Sequence, residues 1–281
     1  MDATEQWTCP TCVIQATTPH CPVCGERRPH PHELTVLGLG KQALEAFTSY
    51  DSRLLRTLRH LLFQPGSLTL SYISGSRKPY LGPFALFLLA NLLFVALEGL
   101  SGSNAFASPL HRHLNEQPWS HYAQQLVNQH LVATGGTLEA YAPVFDKAVA
   151  ANAKSFIVVM VLPLAVLSAM VFMQNRLPFA MHLTYSLHFH AFMLLAISCS
   201  LLIAWVDTLI GGPGLNSQLL DNSLAIFLLL VCALYLYLSA GTVYQTRGWT
   251  RTIKSVVLVL AAAGIFLGYR FLLLLFTVYT T

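Results

Sequence analysis

The stretch LGPFALFLLANLLFVALEGL, residues 81–100, decides the class of this chain. It holds twenty residues with one ionisable group, Glu98, near its end. About 20 such residues in a helix cover a hydrocarbon core of ~30 Å. Four more blocks of the same kind follow, at approximately 155–173, 180–206, 224–244 and 255–279. The chain is 54% hydrophobic and only 10% charged, with a mean hydropathy of +0.56. A water-facing surface needs about 25% charged residues, so a soluble single-core domain is excluded. The expectation is an all-α polytopic membrane protein with five transmembrane helices. Pro163 is placed to disturb the second span, and Gly264 and Gly268 give the fifth a small-xxx-small pair suited to close helix contact.

Basic residues set the expected orientation. Arg27, Arg28, Lys41, Arg53, Arg56, Arg59, Arg77 and Lys78 precede the first span; Arg176 lies in the second loop; Arg247, Arg251 and Lys254 lie in the fourth. These alternate onto one side and account for 12 of the 16 Lys and Arg residues. The other side has Arg112, Lys147 and Lys154, and Arg270 falls within the last span. This predicts a cytosolic N-terminus and a C-terminus on the opposite, periplasmic side. Residues 1–33 are polar and Pro-rich, so the segment ahead of residue 81 is expected to stay where it is made.

That segment carries the most specific motif of the chain. Cys9-Pro10-Thr11-Cys12 is followed, eight residues later, by Cys21-Pro22-Val23-Cys24-Gly25. Two CxxC knuckles this close suit four thiolates around one tetrahedral ion. Zinc held by Cys9, Cys12, Cys21 and Cys24 would be coordinatively closed, hence structural. Iron would also fit four thiolates. A ribbon of about 25 residues has too little core to fold without its ion. Its few basic residues lack interleaved aromatics, which argues against nucleic acid as a partner. Cys199 and Cys232 lie in apolar blocks and read as small hydrophobes. The expected domains are a zinc ribbon over 1–33, amphipathic membrane-surface helices over 34–80, and a five-span domain over 81–281.

Within 52–63, Leu54, Leu55, Leu58, Leu61 and Leu62 share one arc of a helical wheel, and Arg53, Arg56, Arg59 and His60 the opposite arc. This is the pattern of a helix lying on the inner membrane surface; a helix packed on its neighbours is the alternative. Arg77 and Lys78, at the mouth of the first span, are candidates for lipid-phosphate contact. The loop 101–154 is expected to form a helical hairpin outside the membrane, from stretches near 119–132 and 138–152. Its His111, His113, His121 and His130 read as scattered, solvated or hydrogen-bonded side chains.

Two polar groups fall inside spans. His182, His188 and His190 open the third span; ionisable residues there are functional candidates by default. At 100° per residue His188 falls on nearly the opposite side from the other two, so a straight helix cannot aim all three at one ion. Tyr235, Tyr237 and Tyr244 sit at matching depth without a carboxylate. Partners from the surface segment would be residues such as His60, Glu45 or Asp51. Structural hydrogen bonding, a metal or catalytic site, and a polar ligand or ion path all remain open. Glu98, Asp207 and Arg270 share a depth at the other face, where Arg270 is expected either to pair with one of the carboxylates or to snorkel to the interface.

The knuckle pair, Gln64-Pro65-Gly66, the run Tyr72-Ile73-Ser74-Gly75-Ser76-Arg77-Lys78-Pro79-Tyr80-Leu81-Gly82-Pro83 and the His182…His188-x-His190-x-Phe192 span together resemble the bacterial domain-of-unknown-function 3667 family. The resemblance is most specific over 65–83. It implies a multi-span bacterial membrane protein with an N-terminal ribbon and supplies no activity. The functional expectation is a non-enzymatic inner-membrane protein that binds or assembles a protein partner. A membrane enzyme using the three histidines on a lipid or quinone is the runner-up. A transporter is a third reading, weakened by the odd span number and the lack of an inverted repeat.

Overall fold

Pro83 stands at the first position of a long helix, where its missing N–H has no intrahelical partner to lose. The computed structural model describes residues 6–9, 13–19, 21–23, 53–74, 79–101 and 104–281. Cys12, Cys24, Glu45, Asp51, Arg77 and Lys78, and with them half of the predicted thiolate set and the predicted lipid-phosphate contact, lie outside the described residues.

The chain divides into two units, Met1–Leu55 and Arg56–Thr281. In the first, β1 (Trp7–Thr8) pairs antiparallel with β2 (Gln15–Ala16), Trp7 opposite Ala16. The amide of Val13 donates to the Cys9 carbonyl and that of Cys9 to the Ile14 carbonyl, both at 2.9 Å, closing the turn between the strands. Trp7 donates its indole N–H to the Thr18 carbonyl at 2.8 Å. Trp7, Cys9, Ala16 and Cys21 form one small buried cluster. One cysteine of each knuckle is therefore brought to the same place.

In the second unit, helical residues 56–63 continue the helix that is described from 53 onward (α1, 53–63). Then come α2 (Ser67–Ile73), α3 (Pro83–Ser101), α4 (Leu110–Asn115), α5 (Ser120–Thr134), α6 (Leu138–Phe156), α7 (Val161–Val171), α8 (Phe179–Leu209), α9 (Gln218–Tyr244) and α10 (Gly248–Thr280). Five helices are long and apolar enough to cross a membrane: Pro83–Ser101, Leu138–Val171, Phe179–Leu209, Leu219–Tyr244 and Gly248–Thr280. They coincide with the five blocks read from sequence.

The second of these is longer than its block. α6 runs through a 3-10 turn, Ile157–Met160, into α7. Pro163 supplies the reason: it cannot donate to the carbonyl of residue 159, and its ring crowds that carbonyl. The predicted disturbance is a local tightening one turn before the proline. α5 and α6 occupy the two stretches read as a hairpin, with Gly135 at positive φ ending α5 and Thr137 capping α6 through its hydroxyl; α6 itself belongs to the second candidate span.

α8 is the central helix. It packs along α3 and α7 and touches α9 and α2, which makes it the most buried of the five. α10 packs on α9, α7 and α6. Space is open where a Cβ would stand on Gly264 or Gly268, so this pair is at no helix contact among the described residues. α1 differs from the wheel. Thr57 and Leu61 are buried against the bundle, while Leu55, Leu62 and Phe63 are exposed beside the exposed Arg56 and Arg59. The helix both packs on its neighbours and keeps an apolar edge flanked by basic residues.

Candidate functional site: the histidine–tyrosine network around α8

Residues 57–81 are tied to one another before they reach α8. The Thr57 hydroxyl accepts the Leu81 N–H at 3.0 Å. His60 shares a hydrogen bond with the Ser67 hydroxyl at 3.2 Å and another, through Nε2, with the Tyr80 hydroxyl at 3.4 Å; its ring meets that of Tyr80 edge to face at 5.0 Å. Pro65-Gly66 turns the chain between α1 and α2. Gly66 has φ +87°, and a Cβ there would stand 2.9 Å from the Thr242 Cβ and 3.0 Å from the Ser239 carbonyl oxygen. Glycine is required both by the left-handed backbone and by the closeness of α9.

α2 is thereby pressed into the bundle, and Thr69, 2% exposed, meets His188. The Thr69 hydroxyl and His188 Nδ1 are 2.8 Å apart. The other two histidines take different partners. His182 Nδ1 lies 2.9 Å from the Tyr244 hydroxyl. His190 Nδ1 lies 2.8 Å from the Ser186 carbonyl. A carbonyl only accepts, so His190 carries its proton on Nδ1 and presents a lone pair at Nε2. The Ser186 hydroxyl donates to the Val161 carbonyl at 2.7 Å, which holds α8 to α7.

Aromatic rings complete the network. Tyr244 stacks on Phe172 at 3.7 Å and meets Tyr185 edge to face at 5.3 Å. The Tyr185 hydroxyl is 2.9 Å from the Ser239 hydroxyl, which itself donates to the Leu236 carbonyl; Tyr185 is therefore the donor of that pair. Arg251, at the start of α10, donates to the Tyr237 carbonyl and lies over the Tyr237 ring at 4.0 Å.

The three predicted histidines are thus all buried in α8, but each is held by a different element: α9, α2 and the preceding turn of α8 itself. Among the described residues, no three His, Cys, Asp or Glu side chains are grouped so that they could hold a metal. What the arrangement does is seat α2 against α8 and α9. Thr69, Ser186 and Ser239 were not singled out in the sequence; a lone hydroxyl in an apolar stretch carries no periodic signal.

At the other end, Glu98, Asp207 and Arg270 take separate partners. Glu98 pairs with Lys154 at 3.6 Å and accepts the Ala105 N–H at 2.8 Å. Asp207 accepts the Gly214 N–H at 2.9 Å and so holds the turn between α8 and α9. Arg270 donates to the Ala105 carbonyl at 3.4 Å and lies 4.6 Å from the Phe266 ring centroid. No ion pair among the described residues joins it to Glu98 or Asp207. Lys154, near the end of α6, takes Glu98 instead. The 101–154 loop buries His113, which the sequence reading had left among scattered polar histidines; it is 1% exposed, against Trp119 and Phe145.

The segment that builds the seat, from α1 through most of α3, matches a family model described as "Protein of unknown function (DUF3667)", over residues 51–95. Residues 51–95 are similar to that family. No curated protein and no solved structure matches the chain. The DUF3667 match ends before α8, so His182, His188 and His190 lie beyond the matched residues, and the tie between Thr69 and His188 joins the DUF3667 segment to the remainder of the bundle.

Proposed function

We propose that the chain is a non-enzymatic protein of the bacterial inner membrane that binds or assembles a protein partner, with its N-terminus cytosolic and its C-terminus periplasmic. One observation carries this reading: the three histidines of α8 are taken up by three different partners, Thr69 of the segment 51–95, Tyr244 of α9 and the Ser186 carbonyl of α8 itself. A reactive site needs groups that converge on a substrate; these diverge. α1 is tied to α2 and Tyr80 through His60 and leaves Leu62 and Phe63 exposed beside Arg56 and Arg59. Apolar anchors next to basic charge suit a partner or the anionic inner leaflet. Arg77 and Lys78 follow in the same segment and would face lipid phosphates.

The N-terminal knuckles would hold one structural zinc through Cys9, Cys12, Cys21 and Cys24. The spacing supports it, as does the burial of Cys9 and Cys21 in one cluster. The orientation rests on the 12 basic residues that alternate onto one side.

Affinity capture of the full chain from several mild detergents tests the main claim. A partner retained by the wild type and lost from Phe63→Glu supports it; recovery of the bare chain in every detergent defeats it. Metal analysis separates the reading from a histidine enzyme. The expectation is one zinc per chain, lost in Cys9→Ser with Cys24→Ser. A second metal that disappears with His188→Ala and His190→Ala would transfer the weight to catalysis in the membrane.

A further inference from the structure

We infer that Arg270, His113 and Ser108 form a binding site for a phosphate-type oxyanion at the end of the bundle remote from α2. Arg270 is 22 residues from the start of α10, roughly 33 Å along the helix. Its Nε is buried and has no acceptor. Among the described residues its hydrogen bond goes to the Ala105 carbonyl at 3.4 Å, at the long limit for such a bond. No described carboxylate neutralises it.

The two neighbours are also donors without acceptors. Ser108 is 2% exposed, and its hydroxyl has no partner. His113 accepts the indole N–H of Trp119 at its Nδ1, 3.2 Å away. Indole only donates, so the neutral ring keeps its proton on Nε2. That N–H is buried and closes no hydrogen bond of good geometry; its nearest acceptor is on the Ser108 backbone. The Ser108 backbone lies beside the His113 ring, and the ring feels the charge of Arg270. Ala105, three residues before Ser108, receives the Arg270 hydrogen bond. The imidazole N–H and the hydroxyl are on buried side chains, and the half-buried guanidinium reaches the same loop at Ala105.

Buried donors are almost always paired, and a buried cation without an anion is costly. Among the described residues, no carboxylate is left free to accept from them. Glu98 is engaged by Lys154 and the Ala105 N–H, and Asp146 accepts the Leu110 N–H at 2.7 Å. One tetrahedral oxyanion would satisfy all three donors together, with charge-assisted hydrogen bonds to Arg270. A lipid headgroup phosphate and a free inorganic ion share this chemistry. The site stands on this geometry alone, so loss of the partner-binding reading would leave it in place.

The test uses the full chain in dodecyl maltoside, in phosphate-free buffer at fixed ionic strength. One arm titrates inorganic phosphate. The other titrates dihexanoyl phosphatidylglycerol, against dioctanoylglycerol as the phosphate-free counterpart. Calorimetry and the thermal unfolding midpoint are read in both. Expected are saturable binding and a raised midpoint in at least one phosphate arm, abolished in Arg270→Gln and weakened about tenfold in Ser108→Ala. Lys147→Gln, at an exposed basic residue of α6, keeps the response. Response to inorganic phosphate identifies a free oxyanion; response to the phospholipid alone identifies a headgroup. Ser108→Ala removes only a hydroxyl and keeps the test valid if Arg270→Gln does not fold. No binding in either arm, or equal binding by the wild type and Ser108→Ala, overturns the site.

Discussion

At the α2 end of the bundle, each histidine of α8 shares its Nδ1 with a partner at 2.8 to 2.9 Å. At the far end, Arg270 Nε, His113 Nε2 and the Ser108 hydroxyl are buried atoms without a hydrogen-bond partner. Both regions bury polar groups among aromatic rings, and both join a loop segment to the long helices. They differ in what completes them. The first is satisfied within the chain and therefore fixes geometry; the second is left one anion short and therefore points outward. A buried polar side chain is thus read by its partner as much as by its depth.

The largest effect that would break this contrast comes from Gly66. At φ +87°, with Ser239 and Thr242 in the way, a branched side chain is both strained and crowded. Gly66→Val is expected to cost about 3 kcal/mol and to free α2 from α9. Proteolysis or hydrogen exchange over residues 64–74 measures it. Unchanged protection there would show that the α2 end is not held by this turn.

His113 gives the next effect, and it depends on pH. Burial, followed by the charge of Arg270, pushes the imidazole down to about 4 from an ordinary 6.5, with the neighbouring Ser108 backbone opposing in part. Around it stand Arg270 from α10, Arg112 from its own helix and Asp146 from α6, the last engaged by the Leu110 N–H. Between pH 6.5 and about 4 the unfolded chain takes up the proton and the folded chain does not. The neutral ring's full contribution is present above 6.5 and is lost on acidification through that window. The magnitude is on the order of 2 kcal/mol, since one unit is worth about 1.4 and the site is next to solvent-screened charge. Unfolding curves for the wild type and His113→Leu at pH 7.5 and 4.5 test the sign. The stability advantage of the wild type is expected to shrink at the lower pH; a constant or growing difference would sink it.

A somewhat smaller effect sharpens the other half. Thr69→Val leaves His188 Nδ1 without its partner and is expected to destabilise by about 1.5 kcal/mol. His188→Leu alone should behave similarly, and the double variant should cost less than the sum. Additive losses in that cycle would mean that Thr69 and His188 are neighbours without being coupled.

This pair also marks the limit of what the sequence discloses. The five apolar blocks locate the long helices because lipid-scale hydrophobicity is a local property of about 20 residues. The helix starts are less visible. α10 begins at Gly248 instead of 255, because Arg251 and Lys254 look like loop charge but rest over the rings of Tyr237 and Phe172. α9 begins at Gln218 because Ser217 caps it. The angular argument that separates His188 from His182 and His190 is likewise local, and the structure keeps the three on different partners. Thr69 is 119 residues from His188, and nothing in either neighbourhood names the other. His113 and Ser108 are hidden for the same reason: their burial depends on how the 101–154 loop folds over α3 and α10.

The smallest expected effect concerns two glycines that differ only in surroundings. At Gly241 a Cβ would stand 2.6 Å from the Arg251 guanidinium carbon, which lies there in order to reach the Tyr237 carbonyl. At Gly264, also mid-helix, nothing lies within 4 Å. Gly264→Ala should therefore stabilise the isolated chain by about 0.5 kcal/mol through helix propensity alone. Gly241→Ala should lose that gain, since Arg251 must leave its ring and its carbonyl. Thermal midpoints of the two variants, measured side by side in one detergent, decide it. If Gly264→Ala lowers the midpoint as much as Gly241→Ala does, then Gly264 meets a second helix in the isolated protein, and that helix belongs to another molecule.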